Sequence, residues 1–355
     1  MKFAFAGGGT GGHVIPALAV ARELRDRGHE PVFFGTRQGY EARLAPAAGF
    51  PMQWIEIGGL NRVGLLRKLR TLLALPLSIW RVWTWMARER PAAVFSMGGY
   101  VAGPVVLAAI LRGVPVVAME PNAIPGLTNR RAAPWTTRAL VNFEETTAFF
   151  KPGTAEVTGV PVRQEFFQIE ALRPANPFTV LITGGSQGSR TLNNAGRDSW
   201  LLLARQGLAL RVIHQAGRGN AAALQDDFVA SKLEGEVTEF IEDMPAAFAR
   251  ADLIVSRAGA STVSELAAAG KPSILVPFPF AADDHQLRNA EAMQRAGAAR
   301  LVLDREMDGG RMFEEIARLV RNRSELGKMA ESARLLAKPG AAARAADILE
   351  EVAMR

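Results

Sequence analysis

Gly7-Gly8-Gly9-Thr10-Gly11-Gly12-His13 follows the apolar run Phe3 to Ala6 and leads into a helical pattern. A glycine-rich turn between a strand and a helix aims backbone N–H groups and the positive helix end at one point, which suits a phosphate. The stretch lacks the Lys-Ser/Thr ending of a P-loop. It is also longer than a dinucleotide fingerprint, although Glu30 lies near the acidic position of one. A tight turn with no ligand is the alternative. His13 at the helix start is the type of group wanted of a general base near neutrality, or it decorates the helix end. Gly98-Gly99-Tyr100-Val101-Ala102-Gly103-Pro104 is a second such turn. Side by side, Gly8, Gly9, Gly98, Gly99 and Tyr100 would line a wall of donors large enough for a diphosphate; close helix-to-strand packing also wants glycine.

In the second half, Arg257-Ala258-Gly259-Ala260-Ser261-Thr262-Val263-Ser264-Glu265 follows the apolar Leu253 to Ser256. One reading makes Thr262 an N-cap and Glu265 its capping-box partner. The other puts free N–H groups and Thr262 on a nucleotide diphosphate, with Glu265 accepting from the ribose hydroxyls. Pro277-Phe278-Pro279 and the polar stretch Asp283 to Asn289 suit sugar hydroxyls. Asp283 and Asp284 without further clustered ligands are weak ground for a metal, and none is expected.

These groups need elements to hold them. Short apolar runs alternate with helical stretches, which predicts parallel strands joined by crossover helices. The runs in the first half are Phe3 to Ala6, Pro31 to Phe34, Ala93 to Ser96, Val114 to Met119 and Arg138 to Val141. In the second half they are Phe178 to Thr183, Ala209 to His214, Val237 to Phe240, Leu253 to Ser256, Ser273 to Val276 and Ala299 to Leu303. The turn Gly184-Gly185-Ser186-Gln187-Gly188-Ser189 repeats the first glycine turn about half a chain later. Two doubly wound α/β domains are therefore expected, over residues 1–160 and 161–340. The boundary falls near Gly159-Val160-Pro161 or in Arg173 to Pro177. A last amphipathic helix, about 341–355, could pack on either domain, including back on the first.

The chain has 355 residues, no cysteine, 48% hydrophobic and 22% charged residues, which excludes disordered, collagenous and disulfide-stapled classes and any thiol chemistry. Its net charge of +7 is uneven. Residues 1–160 hold 18 basic against 10 acidic side chains, and the remainder 24 against 25. Between Arg62 and Arg90 seven basic residues meet one acid, Glu89. Apolar residues at near-helical spacing are interleaved with them. Tryptophan and arginine beside an apolar stripe suit a bilayer headgroup region. Arg67, Lys68, Leu69, Leu72, Leu73, Trp80 and Trp83 are thus expected on an anionic membrane surface, with a buried core helix and solvated basic face as the alternative. No nucleic-acid motif accompanies the charge, so no nucleic-acid partner is expected. Thr71 to Trp80, broken by Pro76, and Gly98 to Leu111 fall short of the roughly 20 residues that span a bilayer. The opening residues read as a strand rather than an export signal.

The two nucleotide-fold halves have the layout of a GT-B glycosyltransferase. Gly7 to His13, Gly98 to Pro104, Glu120-Pro121-Asn122, Gly126-Leu127-Thr128-Asn129, Gly159 to Arg163, Gly184 to Ser189, Phe240 to Met244 and Ser256 to Glu265 carry a closer likeness. In order and spacing they resemble the bacterial family-28 glycosyltransferases of peptidoglycan synthesis over nearly the whole chain. The resemblance implies inverting transfer of N-acetylglucosamine from UDP-N-acetylglucosamine to the C4 hydroxyl of a muramyl-pentapeptide on undecaprenyl diphosphate. It implies a peripheral enzyme at the cytoplasmic face of the inner membrane, associated with other cell-wall synthesis proteins. The nucleotide sugar would occupy the second domain. The Ile241 backbone would read uracil, Ser186 and Thr262 would meet the diphosphate beside Ala260, Ser261, Val263 and Ser264, Glu265 would hold the ribose, and Gln286 with His285 would read the sugar. Thr10, Gly11, Gly12, Asn122 and Arg163 would complete the donor site across a cleft, and the first-domain glycine turns would take the acceptor's diphosphate. No cofactor is implied, and a divalent ion is not obligatory. Where the family usually has histidine before the Glu-Pro/Gln-Asn triplet, this chain has Met119. A diacylglycerol glycosyltransferase of the same family would share the donor architecture and the membrane segment. A nicotinamide-dependent oxidoreductase is disfavoured by the atypical first turn, and a non-catalytic membrane adaptor would not need the second-domain nucleotide site.

Overall fold

The computed structural model describes residues 1–8, 11–58, 65–170, 177–207 and 209–354, with only the backbone of 65–72 and 282. Gly9 and Thr10 lie outside the described residues, as do Arg62 and most of the stretch Arg173 to Pro177. The chain divides into two units, Met1–Val162 with Lys338–Arg355, and Arg163–Ala337.

In the first unit, β1 (Lys2–Gly7), β2 (Glu30–Gly35), β3 (Met52–Trp54), β4 (Ala93–Gly98), β5 (Val116–Glu120), β6 (Arg138–Val141) and β7 (Ala155–Val157) form one parallel sheet. Their order is β3-β2-β1-β4-β5-β6-β7. Helices cover both faces, so the central strands read as apolar runs rather than alternating ones. Phe5 stacks on Phe33 at 5.1 Å between ring centres and tilts against Phe95 at 5.2 Å. In the second unit, β8 (Phe178–Thr183), β9 (Leu210–Gln215), β10 (Glu234–Thr238), β11 (Leu253–Ser256), β12 (Ser273–Leu275) and β13 (Ala299–Leu301) are also all parallel. Their order is β10-β9-β8-β11-β12-β13. Strand order reverses between β1 and β4 in one sheet and between β8 and β11 in the other. Ligands of doubly wound sheets bind at such reversals, beyond the carboxyl ends of the strands. All four glycine-bearing motifs follow one of those four strands.

Several elements differ from the sequence expectation. β3 and β7 are three-residue edge strands, too short to carry a periodic signal. β10 starts at Glu234, with its exposed residues at the sheet edge, rather than at Val237. The first helix begins at Gly11, within the glycine turn, so His13 lies in its first turn. Pro76 does not break its segment: one helix runs Leu65–Glu89 through it. A proline removes one hydrogen bond and kinks a helix, but strong helix formers on both sides carry it on. Among the described residues, no helix is long and apolar enough to cross a membrane.

The last helix, Ala341–Ala353, returns to the first unit. Ala345, Ala346, Ile348, Leu349 and Val352 are buried in the core that holds Phe3, Val20 and Leu24. Arg27 bonds Asp347 at 2.7 Å and Glu350 at 2.8 Å, His29 meets Glu350 at 2.7 Å, and Arg344 bonds Glu156 at 2.6 Å.

Candidate active site

At the reversal in the first sheet, Gly7 of β1 pairs with Gly98 of β4, so the two glycine turns leave side by side. Gly98 and Gly99 have φ of 75° and 77°, a left-handed conformation that only glycine adopts without strain. A Cβ on Gly99 would lie 3.4 Å from the Gly8 carbonyl oxygen and 3.8 Å from the His13 ring. Gly8, His13, Gly98 and Gly99 therefore meet at one place, with His13 partly exposed and Gly11 and Gly12 opening its helix. Tyr100 sits in the first turn of the next helix, Gly99–Arg112, and its hydroxyl is 3.3 Å from that of Thr36.

At the end of β5, Glu120 is 2% exposed and organises the next loop. It accepts from the Asn122 N–H and side-chain amide, both at 3.0 Å, from the Gly126 N–H at 3.1 Å and from Asn129 at 2.9 Å. Burial raises its pKa against the pull of those donors, Asn129 first. Thr128 donates to the Gly99 carbonyl at 2.8 Å, which ties this loop to the second glycine turn.

The second unit repeats the arrangement at β8 and β11. Ser186 is exposed at the tip of the Gly184 turn, and Ser189 caps the helix Arg190–Arg205 by accepting from the Leu192 N–H. The helix Ala260–Ala269 has Gly259 as its N-cap with no side-chain cap. Thr262 is therefore already inside the helix, and the capping-box reading of Thr262 and Glu265 is overturned: a third helical residue cannot be the cap. The N–H groups of Ala260, Ser261 and Thr262 precede the first intrahelical bond, made by Val263 to the Gly259 carbonyl at 3.0 Å. Val263 and Ser264 turn their side chains into the core. Glu265 is partly buried, and desolvation pushes its carboxyl up to about 7 although the nearby Arg163 guanidinium pulls it down. Arg163 itself lies over the Phe166 ring at 5.1 Å.

Gln286, one residue into the helix His285–Arg295, accepts through Oε1 from the Ala258 N–H at 3.2 Å and the Phe278 N–H at 3.0 Å. Its amide nitrogen is thus the end left for a ligand oxygen. Ile241 is partly exposed beyond β10, just ahead of Asp243, which caps the helix Met244–Arg250. Asp283 and Asp284 have left-handed φ of 50° and 51°. Among the described residues, no group of three or more His, Asp or Glu side chains could hold a metal.

Three residues outside the expected site turn out to hold it. Arg257 donates to Asp304 at 2.5 Å, to Ser189 Oγ at 2.7 Å and to the carbonyls of Val276 and Pro277 at 3.1 and 3.3 Å, joining three loops. Asn289 donates to the Ala258 carbonyl at 3.1 Å. Glu41 is buried under Gly8. Arg257 and Asn289 stand within the quoted motifs, so their signal was present; Glu41 lies in an unremarkable helix start and gave none.

In the first unit, the helix Leu65–Glu89 buries Ser78, Val82, Trp85 and Met86 and exposes Leu73, Leu77, Trp80 and Trp83. Its described outer face therefore carries these apolar side chains beside the exposed Arg81 and Arg88. The Arg112 guanidinium lies 4.2 Å from the Trp83 ring centre. Side chains of Arg67, Lys68, Leu69 and Leu72 fall outside the described residues.

Two doubly wound domains, each with glycine turns at its strand-order reversal, have the layout of the GT-B fold. The models of the glycosyltransferase family 28 N-terminal and C-terminal domains match residues 3–141 and 179–352, and the chain belongs to that family. A protein of Solibacter usitatus is 61% identical over 352 residues, 99% of this chain and 96% of its own length. It is named UDP-N-acetylglucosamine–N-acetylmuramyl-(pentapeptide) pyrophosphoryl-undecaprenol N-acetylglucosamine transferase. A protein of the same name from Halorhodospira halophila is 45% identical, covering 99% of this chain and 98% of its own. The crystal structure of Acinetobacter baumannii MurG has a TM-score of 0.84 at 33% identity over 99% of each chain.

Proposed function

We propose that this chain transfers N-acetylglucosamine from UDP-N-acetylglucosamine to the C4 hydroxyl of a muramyl-pentapeptide carried on undecaprenyl diphosphate, inverting the anomeric centre. The observation that carries the reading is end-to-end similarity to relatives named for that transfer. In this reading the second unit holds the donor. The N–H groups of Ala260, Ser261 and Thr262, with Ser186, take the diphosphate, and ionised Glu265 accepts from both ribose hydroxyls. The Ile241 backbone reads uracil, and the Gln286 amide with His285 reads the sugar.

The first unit receives the acceptor, its diphosphate on the N–H groups of Gly8, Gly9, Gly98 and Gly99. Thr10, Gly11, Gly12, Asn122 and Arg163 serve the donor as further contacts. His13 takes the proton of the attacking hydroxyl while UDP departs from the opposite face of the sugar. Helix N-termini and Ser186 meet the charge that grows on the leaving diphosphate, so turnover needs no obligatory metal. The apolar face bearing Trp80 and Trp83, on a unit with an excess of positive charge, rests on the cytoplasmic leaflet of the inner membrane beside the lipid substrate.

The test offers labelled UDP-N-acetylglucosamine with the lipid-linked muramyl-pentapeptide and with diacylglycerol. Label is expected in the first acceptor alone; label in diacylglycerol instead would overturn the acceptor assignment. His13→Ala should lower kcat by about two orders of magnitude or more. Near-full turnover of that variant would remove His13 as the base.

A further inference from the structure

Glu41 is 0% exposed, although carboxylates are rarely buried without partners. It starts the helix Glu41–Ala47 that follows β2, and its carboxyl group fits beneath the first glycine turn: a Cβ on Gly8 would lie 2.6 Å from the carboxyl carbon. The N–H and the hydroxyl of Thr36, the residue after β2, both donate to Glu41 Oε1, at 2.9 and 3.1 Å. The Thr36 hydroxyl also lies 3.3 Å from the Tyr100 hydroxyl. Tyr100 follows β4, and β1 lies between β4 and β2, so the tyrosine spans the end of β1 and the glycine turn that leaves it.

The direction of these bonds follows from proton counting. A hydroxyl has one hydrogen, and Thr36 gives its own to Glu41 Oε1. The bond between the two hydroxyls must then be donated by Tyr100. Its oxygen is left with lone pairs and no hydrogen to offer.

We propose that Glu41 and Thr36 are positioning residues that fix the Tyr100 hydroxyl as a hydrogen-bond acceptor, so that Tyr100 recognises a hydroxyl or amide N–H of the lipid-linked acceptor rather than a phosphate oxygen. The diphosphate is left to the N–H groups of the glycine turns. The proposal rests on the reading above that the first unit receives the acceptor.

Steady-state transfer from labelled UDP-N-acetylglucosamine to the lipid-linked muramyl-pentapeptide tests it with four variants. Thr36→Val should raise the acceptor KM about tenfold and leave the UDP-N-acetylglucosamine KM within about twofold, the size of one lost buried hydrogen bond. Thr36→Ser, which keeps the hydroxyl, should restore the acceptor KM. In a Tyr100→Phe background, Thr36→Val should add almost nothing, because the two groups act through one bond. An unchanged acceptor KM in Thr36→Val, an equal rise in both KM values from a loosened fold, or full additivity with Tyr100→Phe overturns the proposal alone. A wild-type chain that transfers nothing to this acceptor overturns the underlying reading, and the proposal with it.

Discussion

Burial pushes the Glu265 carboxyl up to about 7, well above the 4.5 of a solvated glutamate. Its folded pKa exceeds its unfolded one, so the folded state binds more protons between those values, and stability falls as pH rises from 4.5 through 7. Above that window the ionised group costs the ligand-free fold at most about 3 kcal/mol. Glu265→Gln should therefore melt higher than wild type at pH 8, with the gap closing by pH 5; equal melting at pH 8 would contradict this. The same carboxylate must be ionised to accept two ribose hydroxyls. UDP affinity, measured by calorimetry, should weaken about tenfold between pH 8 and pH 6. His214 acts oppositely. Fully buried against Trp200, with its Nε2 facing Asn193 Oδ1 at 3.0 Å, it has a pKa pushed down to about 4 by desolvation. Its stabilising contribution is complete above the unfolded value of 6.5 and is lost as pH falls toward 4. The two slopes offset one another in wild type, so the Glu265→Gln variant should lose stability more steeply on acidification below pH 6.5.

At the scale of elements, the strongest sequence signals were those with one local cause. Glycine turns following apolar runs located both strand-order reversals, because β1, β4, β8 and β11 are buried on both faces and cannot hide polar residues. Thr262 was ambiguous for a local reason too: Thr and Glu three apart satisfy both a capping box and a ligand site, and only Gly259 as N-cap separates them. Glu41 and the short edges β3 and β7 were illegible, since their roles come from neighbours distant in the chain. The helix Leu65–Glu89 was legible as amphipathic but not as continuous. Its exposed Leu73, Leu77, Trp80 and Trp83 bear on one prediction. Replacing Trp80 and Trp83 together with Ala should weaken sedimentation with anionic vesicles and leave UDP affinity intact; unchanged sedimentation would count against a membrane role for this face.

Over the whole molecule, the charge of the two units follows the chain's path. The returning segment from Lys338 brings three basic and three acidic residues, so the first unit keeps its excess of eight positive charges and the second stays at −1. That segment also completes the first unit's core, where Leu349 is fully buried. Leu349→Ala should cost the first unit about 2–5 kcal/mol, while the second keeps its UDP affinity. A parallel loss of UDP affinity would contradict that separation. The account stands most directly on the linkage formed. Transfer with inversion from the α-linked nucleotide sugar predicts a product in which nuclear magnetic resonance finds N-acetylglucosamine β-linked to C4 of the muramyl residue. An α-linkage, or no sugar on that residue, would contradict it.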